Sequence, residues 1–248
     1  MIQFEHISKL YGDFEALSDL NLTIENGEIF GLIGHNGAGK TTTISLLTSI
    51  IEASYGEIRV DGLELTQHRD AIKKRIAYVP DSPDIFLNLT AKEYWHFIGT
   101  IYGVAPSDID SRISKLAQLF DIQDRQNETI DSFSHGMRQK TIIIGALIPN
   151  PDIWILDEPL TGLDPQASFD LKEMMREHAH KGNTVIFSTH VLSVAEQLCD
   201  RIGILRKGKL IFVGSLEELK AQYPDKDLET IYLELAGRQG SPKVGDEI

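Results

Sequence analysis

Apolar and polar positions alternate in short runs at the start of the chain. Residues 2–8, 20–24 and 28–33 read as strands, with Asn26-Gly27 as a tight turn before the third. The third run is almost wholly apolar, as a strand covered on both faces must be. A glycine-rich stretch follows, and 42–47 begins a helix reaching about residue 49. Residues 56–62 form a short strand closed by a turn glycine, 71–75 a helix, and 76–79 a strand ended by Pro80.

Beyond Pro80 the alternation stops, and residues from about 86 to 150 read as helices. Thr90-x-x-Glu93 is a capping box opening a helix over 91–102, and Ser107-x-x-Asp110 resembles one opening 109–120. Ser134 caps a third helix running to Ile148, stopped by Pro149 and Pro151. Tyr94, Trp95, Phe97 and Tyr102 crowd the first of these helices, and most of them are read as a small core rather than a docking wall. The α/β rhythm then returns. Residues 153–156 are a buried strand, Asp164-Pro165 opens a helix to about His180, and 184–188 is another strand. A helix over 191–198, strands near 202–205 and 209–213, and a late helix capped by Ser215-x-x-Glu218 complete the pattern. The expected fold is an α/β core with an inserted α-helical subdomain over about 86–150. The extension over 221–248 ends in a polar tail, 237–248, expected to be mobile.

Composition narrows the classes. The net charge of −13 is a poor match to a surface that wraps DNA or RNA. A single cysteine, Cys199, excludes an intrachain disulfide and suits a reducing compartment. No signal peptide is visible at the start, and the longest apolar run, 142–148, is too short to span a bilayer. Any membrane role is therefore expected to come through a partner. His178 and His180 are two residues apart, do not share a helical face, and are not read as a metal site.

The chemistry lies in Gly34-His35-Asn36-Gly37-Ala38-Gly39-Lys40-Thr41-Thr42, which fits the phosphate-loop pattern G-x-x-x-x-G-K-[ST]. Glycines let successive backbone N–H groups point at phosphate oxygens, and the following helix offers its positive end to them. Lys40 would reach the β- and γ-phosphates of ATP, and the Thr41 hydroxyl would ligate Mg²⁺. A P-loop site also needs an apolar strand ending in acid. Asp157 would hold Mg²⁺ through a water and Glu158 would polarise the attacking water.

These segments together resemble the nucleotide-binding subunit of ABC transporters over about residues 1–220. Six motifs appear in order: Tyr11 in the loop after the first strand, the loop Gly34–Thr42, the position after Tyr78-Val79-Pro80, Ser134-His135-Gly136-Met137, Asp157 with Glu158, and His190. Gly162-Leu163-Asp164 matches the family's D-loop. The resemblance implies a P-loop NTPase core with an N-terminal antiparallel β subdomain. It also implies that Tyr11 stacks on adenine, that Ser134 and Gly136 contact ATP held by a second ATPase subunit, that Asp164 shapes that interface, and that His190 contacts the γ-phosphate. Two positions depart from the family. Asp81 stands where glutamine is usual, as a candidate Mg²⁺ ligand, and Phe133-Ser134-His135-Gly136-Met137 replaces Leu-Ser-Gly-Gly-Gln. The Ser-His-Gly-Met form is similar to ATPases of the ABC-2 export type, mostly bacterial. The resemblance implies an ATPase powering an exporter, lying on the cytoplasmic face of the cell membrane against an integral membrane permease. The alternative, a soluble ATPase of this type acting on nucleic acid or ribosomes, is disfavoured by the charge and the single cassette. A P-loop kinase or GTPase is disfavoured by Ser134-His135-Gly136, by His190 and by the lack of an Asn-Lys-x-Asp motif.

Overall fold

A computed structural model describes residues 1–224, 226 and 228–235. The tail 237–248, expected from its composition to be mobile, lies outside them.

Two sheets form the frame. The first is antiparallel, with strands β1 (Ile2–Tyr11), β2 (Phe14–Ile24), β4 (Tyr55–Val60) and β5 (Leu63–Glu64) in the order β2-β1-β4-β5. The second holds β3 (Ile29–Ile33), β6 (Ile76–Val79), β7 (Ile153–Asp157), β8 (Thr184–Thr189), β9 (Arg201–Arg206) and β10 (Lys209–Gly214) in the order β10-β9-β3-β8-β7-β6. It is parallel except for the β9–β10 pair at its edge. Every residue of β3, β7 and β8 is buried, as parallel strands covered on both faces require. The Asn26-Gly27 turn joins different sheets, so it is a crossover and not a hairpin.

Helices α1 (Lys40–Leu47) and α2 (Arg69–Lys73) cover one face of the parallel sheet. They share a core there with the antiparallel sheet, through residues such as Leu17, Leu20, Ile44, Ile155 and Ile186. The other face carries α6 (Pro165–His180) and the helical insertion: α3 (Ala91–Ile101), α4 (Pro106–Leu119) and α5 (His135–Leu147). Trp95, fully buried in α3, donates to the Thr141 carbonyl of α5 at 2.9 Å. Tyr94 is buried beside it and Tyr102 donates from its hydroxyl to Ile76 O at 2.8 Å, while Phe97 stays exposed. Helices α7 (Leu192–Leu198), α8 (Leu216–Gln222) and α9 (Leu228–Leu235) make a third, smaller cluster against β9.

Local signals explain most of the boundaries. Thr90 and Ser215 form the expected capping boxes, and Ser134 and Asp164 cap α5 and α6 as expected. The box expected at Ser107 is not one. Pro106, whose fixed φ suits the first helical position, starts α4 with Ala105 as the N-cap, so Ser107 lies inside the helix. Tyr11 is not in a loop after the first strand: it is the last residue of β1, paired with Phe14 across the two-residue turn Gly12-Asp13. The sequence pattern also missed α9. No helix among the described residues is long and apolar enough to cross a membrane.

Candidate active site

The carboxyl ends of four parallel strands converge on one place. β3 runs into the phosphate loop, β6 leads through Pro80 to Asp81, β7 ends at Asp157 before Glu158, and β8 ends at Thr189 before His190. Ligands of open α/β sheets bind at that edge because loops there can diverge around a crevice.

The phosphate loop is locked by its own packing. A Cβ on Gly34 would lie 2.7 Å from Ala38 Cβ and 2.9 Å from Leu205 O. Ala38 donates to His35 O at 3.0 Å and accepts from Gly208 N at 2.9 Å. Gly208, in the β9–β10 turn, also accepts from Ser18 N of β2 at 2.9 Å. Its φ is +76°, and a Cβ there would lie 2.6 Å from Ala16 O, so the turn has room for glycine alone. Helix α1 begins with Gly39 as its N-cap, so no side chain caps it, and its first turn holds no acid. Its leading N–H groups and positive dipole end therefore face the cleft unneutralised.

The cleft holds about 390 Å³. Tyr11 and Phe14 flank one end, and His35, Asn36, Gly37, Gly39, Lys40, Thr41 and Thr42 form its floor beside Asp81 and Glu158. Lys40 is buried, donates to Gly34 O at 2.7 Å, and lies 3.3 Å from Glu158 Oε1. The other oxygen of Glu158 is 3.0 Å from His190 Nδ1. Asp157 is fully buried. One of its oxygens accepts from the Ser188 hydroxyl, and Oδ2 has no hydrogen-bond partner. Burial pushes the Asp157 carboxyl above the usual range. The Ser188 hydroxyl pulls the other way, and the charges of Asp81 and Glu158 add to the rise.

Three expected site residues stand apart from this cleft. Ser134 caps α5, its hydroxyl accepting from Met137 N at 3.4 Å. Asp164 accepts from Ala167 N at 2.9 Å and pairs with Lys140 at 2.6 Å. Gly136 meets the D-loop so closely that a Cβ would sit 2.5 Å from Gly162 O. The His135 ring closes the same contact over Gly162, so the departure from the family's usual glycine is filled by packing within the chain. His178 is buried and stacked on Trp154 at 3.9 Å, whereas His180 is exposed.

The ABC transporter family model matches residues 17–161. The chain belongs to that family. The ABC transporter ATP-binding protein NatA of Bacillus subtilis is 37% identical over 220 residues, covering 88% of this chain and 89% of that one. The linearmycin resistance ATP-binding protein LnrL of the same organism is 34% identical over 219 residues, 88% of this chain and 70% of that one. A solved ATP binding subunit of an ABC transporter superposes with a TM-score of 0.89 at 32% identity, over 95% of this chain and 99% of that one. This member of the ABC transporter family is accordingly an ATP-binding subunit and an ATPase with the family's mixed α/β fold.

Sequence reasoning missed Phe14, Ser188 and Lys140. Phe14 carried a signal, an aromatic three residues after Tyr11 across a Gly-Asp turn. Ser188 and Lys140 carried none, because their contacts with Asp157 and Asp164 cross between elements.

Proposed function

We propose that this ATPase works as a dimer that powers an exporter, docked on a separate integral membrane permease at the cytoplasmic face of the cell membrane. One observation carries the dimer: the chain has a phosphate cleft and an intact Ser134–Gly136 and Asp164 segment, but that segment does not line the cleft. In a head-to-tail pair each segment would close the cleft of the other subunit. Export is supported by the linearmycin resistance relative and by the Ser-His-Gly-Met segment.

The adenine of ATP stacks on Tyr11 and Phe14, and the phosphates lie on the loop N–H groups and the uncapped start of α1. Lys40 turns from Gly34 O and Glu158 to the β- and γ-phosphates. Glu158, released, accepts a proton from the attacking water as it adds in line to the γ-phosphorus and the bond to the β,γ-bridging oxygen breaks, ADP leaving with that oxygen; His190 orients the carboxylate and contacts the γ-phosphate. Oxygen donors from Thr41 and, through water, from Asp157 and Asp81 fit Mg²⁺, and the buried, unpartnered Asp157 Oδ2 is the atom that such an ion's water would satisfy. When bound, Mg²⁺ neutralises charge developing on the phosphate oxygens. Ser134 and Gly136 of the second subunit approach the γ-phosphate only in the closed pair, so ATP binding favours closure and hydrolysis removes the contact.

Glu158→Gln is expected to keep ATP binding and slow hydrolysis by at least about a hundredfold, measured as phosphate release. A wild-type rate would remove Glu158 as the base. Purification from membranes should yield an integral membrane protein bound to this chain. Salt-sensitive nucleic-acid binding without such a partner would overturn the transport reading.

A further inference from the structure

We propose that Ser188 is a positioning residue of the hydrolytic site, one hydroxyl that sets both the metal-facing carboxylate and the backbone of the base. This rests on the roles given above to Asp157 and Glu158.

Ser188 is opposite Asp157 in the parallel β7–β8 ladder, so their side chains leave the sheet on the same face. Both residues are fully buried. The Ser188 hydroxyl donates its one proton to Asp157 Oδ1 and accepts from Glu158 N at 3.0 Å. A hydroxyl has a single proton, so these two bonds fix its rotor completely. Two consequences follow. With Oδ1 committed to Ser188, the carboxylate plane of Asp157 is set and Oδ2 is left without a protein partner. Glu158 has a φ of +47°, in the left-handed region that side chains other than glycine and asparagine rarely adopt. Ser188 ties down the N–H at that bend. From the bend the Glu158 carboxylate reaches Lys40 on one side and His190 on the other. No other side chain among the described residues bonds to both Asp157 and Glu158.

The test is Ser188→Ala in the full chain, beside Glu158→Gln as the control for the underlying reading. The kcat should fall about ten- to a hundredfold. KM for ATP should stay within about threefold, because the phosphate loop and the stacking rings are untouched. A readout independent of turnover is the binding of a non-hydrolysable ATP analogue with and without Mg²⁺. The Mg²⁺ concentration for half-maximal tightening should rise about tenfold or more, while binding without Mg²⁺ stays as in the wild type. Ser188→Thr, which keeps the hydroxyl, should recover most of both losses. A Ser188→Ala protein with wild-type kcat and Mg²⁺ dependence would overturn the proposal. So would losses in both serine variants that merely track a lowered unfolding temperature. If the alanine protein does not fold, Ser188→Cys, with a weak donor of similar size, is measured against the same two outcomes. Should Glu158→Gln stall hydrolysis while Ser188→Ala does not, only this inference fails. If neither slows it, the assignment of the base fails as well.

Discussion

Lys40 and Glu158 hold each other in the cleft. A buried ammonium costs several kcal/mol unless it is paired and hydrogen-bonded, and Lys40 meets that cost through Gly34 O and Glu158. On the proposed assignment the base is occupied until phosphate takes the lysine, which would couple substrate arrival to release of the carboxylate. Tyr11 and Phe14 line the same cleft. The Tyr11→Ala, Phe14→Ala double variant should weaken ATP binding by about 1–3 kcal/mol in a nucleotide titration, with little change in kcat. His178 makes a different prediction. Burial holds its imidazole down at about 4. The unfolded chain protonates it near 6.5, so the folded protein is fully stable above that pH. It loses on the order of 2–3 kcal/mol as pH falls to about 4. Urea midpoints at pH 7 and 4.5 read this slope, and His178→Gln should flatten it. At this scale the charged and hydroxyl groups of the loop and strand ends were legible, because short motifs carry them. Ser188 was not, because a strand ladder decides what it touches, and Phe14 was marked only by its spacing from Tyr11 across the Gly-Asp turn.

Capping alone does not mark the helix proposed to receive phosphate: α1, α2, α4 and α7 all lack a side-chain cap, and α1 differs in opening onto the cleft. Helices α3, α5, α6 and α8 have side-chain caps, and their N–H groups are thereby partly satisfied. Helix α1 lacks one and carries no first-turn acid. The insertion is held by aromatic packing, so Trp95→Ala should cost about 3–5 kcal/mol in urea denaturation. Gly136→Ala drives a methyl into the backbone of the D-loop. It should shift the start of α5 at a cost of about 1–3 kcal/mol and reduce ATPase activity, measured at a temperature where the protein stays folded. Caps at Thr90, Ser134, Asp164 and Ser215 were legible because side chain and backbone are neighbours in sequence. The false box at Ser107 shows the limit: Pro106 starts the helix whatever hydroxyl follows. Helix α9 was hidden because its apolar positions, Leu228 and Ile231, declare themselves only against β9 and α7.

For the whole molecule, the helical insertion and the class of the core were readable from the loss and return of strand alternation. The order β10-β9-β3-β8-β7-β6 was not, because it follows from crossovers between segments far apart in sequence. A pair of differently damaged copies tests the assembly. Lys40→Ala and Ser134→Arg should each abolish ATPase activity alone. Mixed in equal amounts they should regain part of it, since one site of each mixed pair then has an intact cleft and an intact facing segment. Failure to regain any would argue against the shared site.

The turn at Gly208 bears on how the pair can move. It ties β2, next to the aromatic hairpin, to the phosphate loop through Ser18 and Ala38. On the proposed reading, these bonds hold the span from base grip to phosphate grip before the nucleotide arrives. The motion of the pair, on that same reading, pivots outside that span.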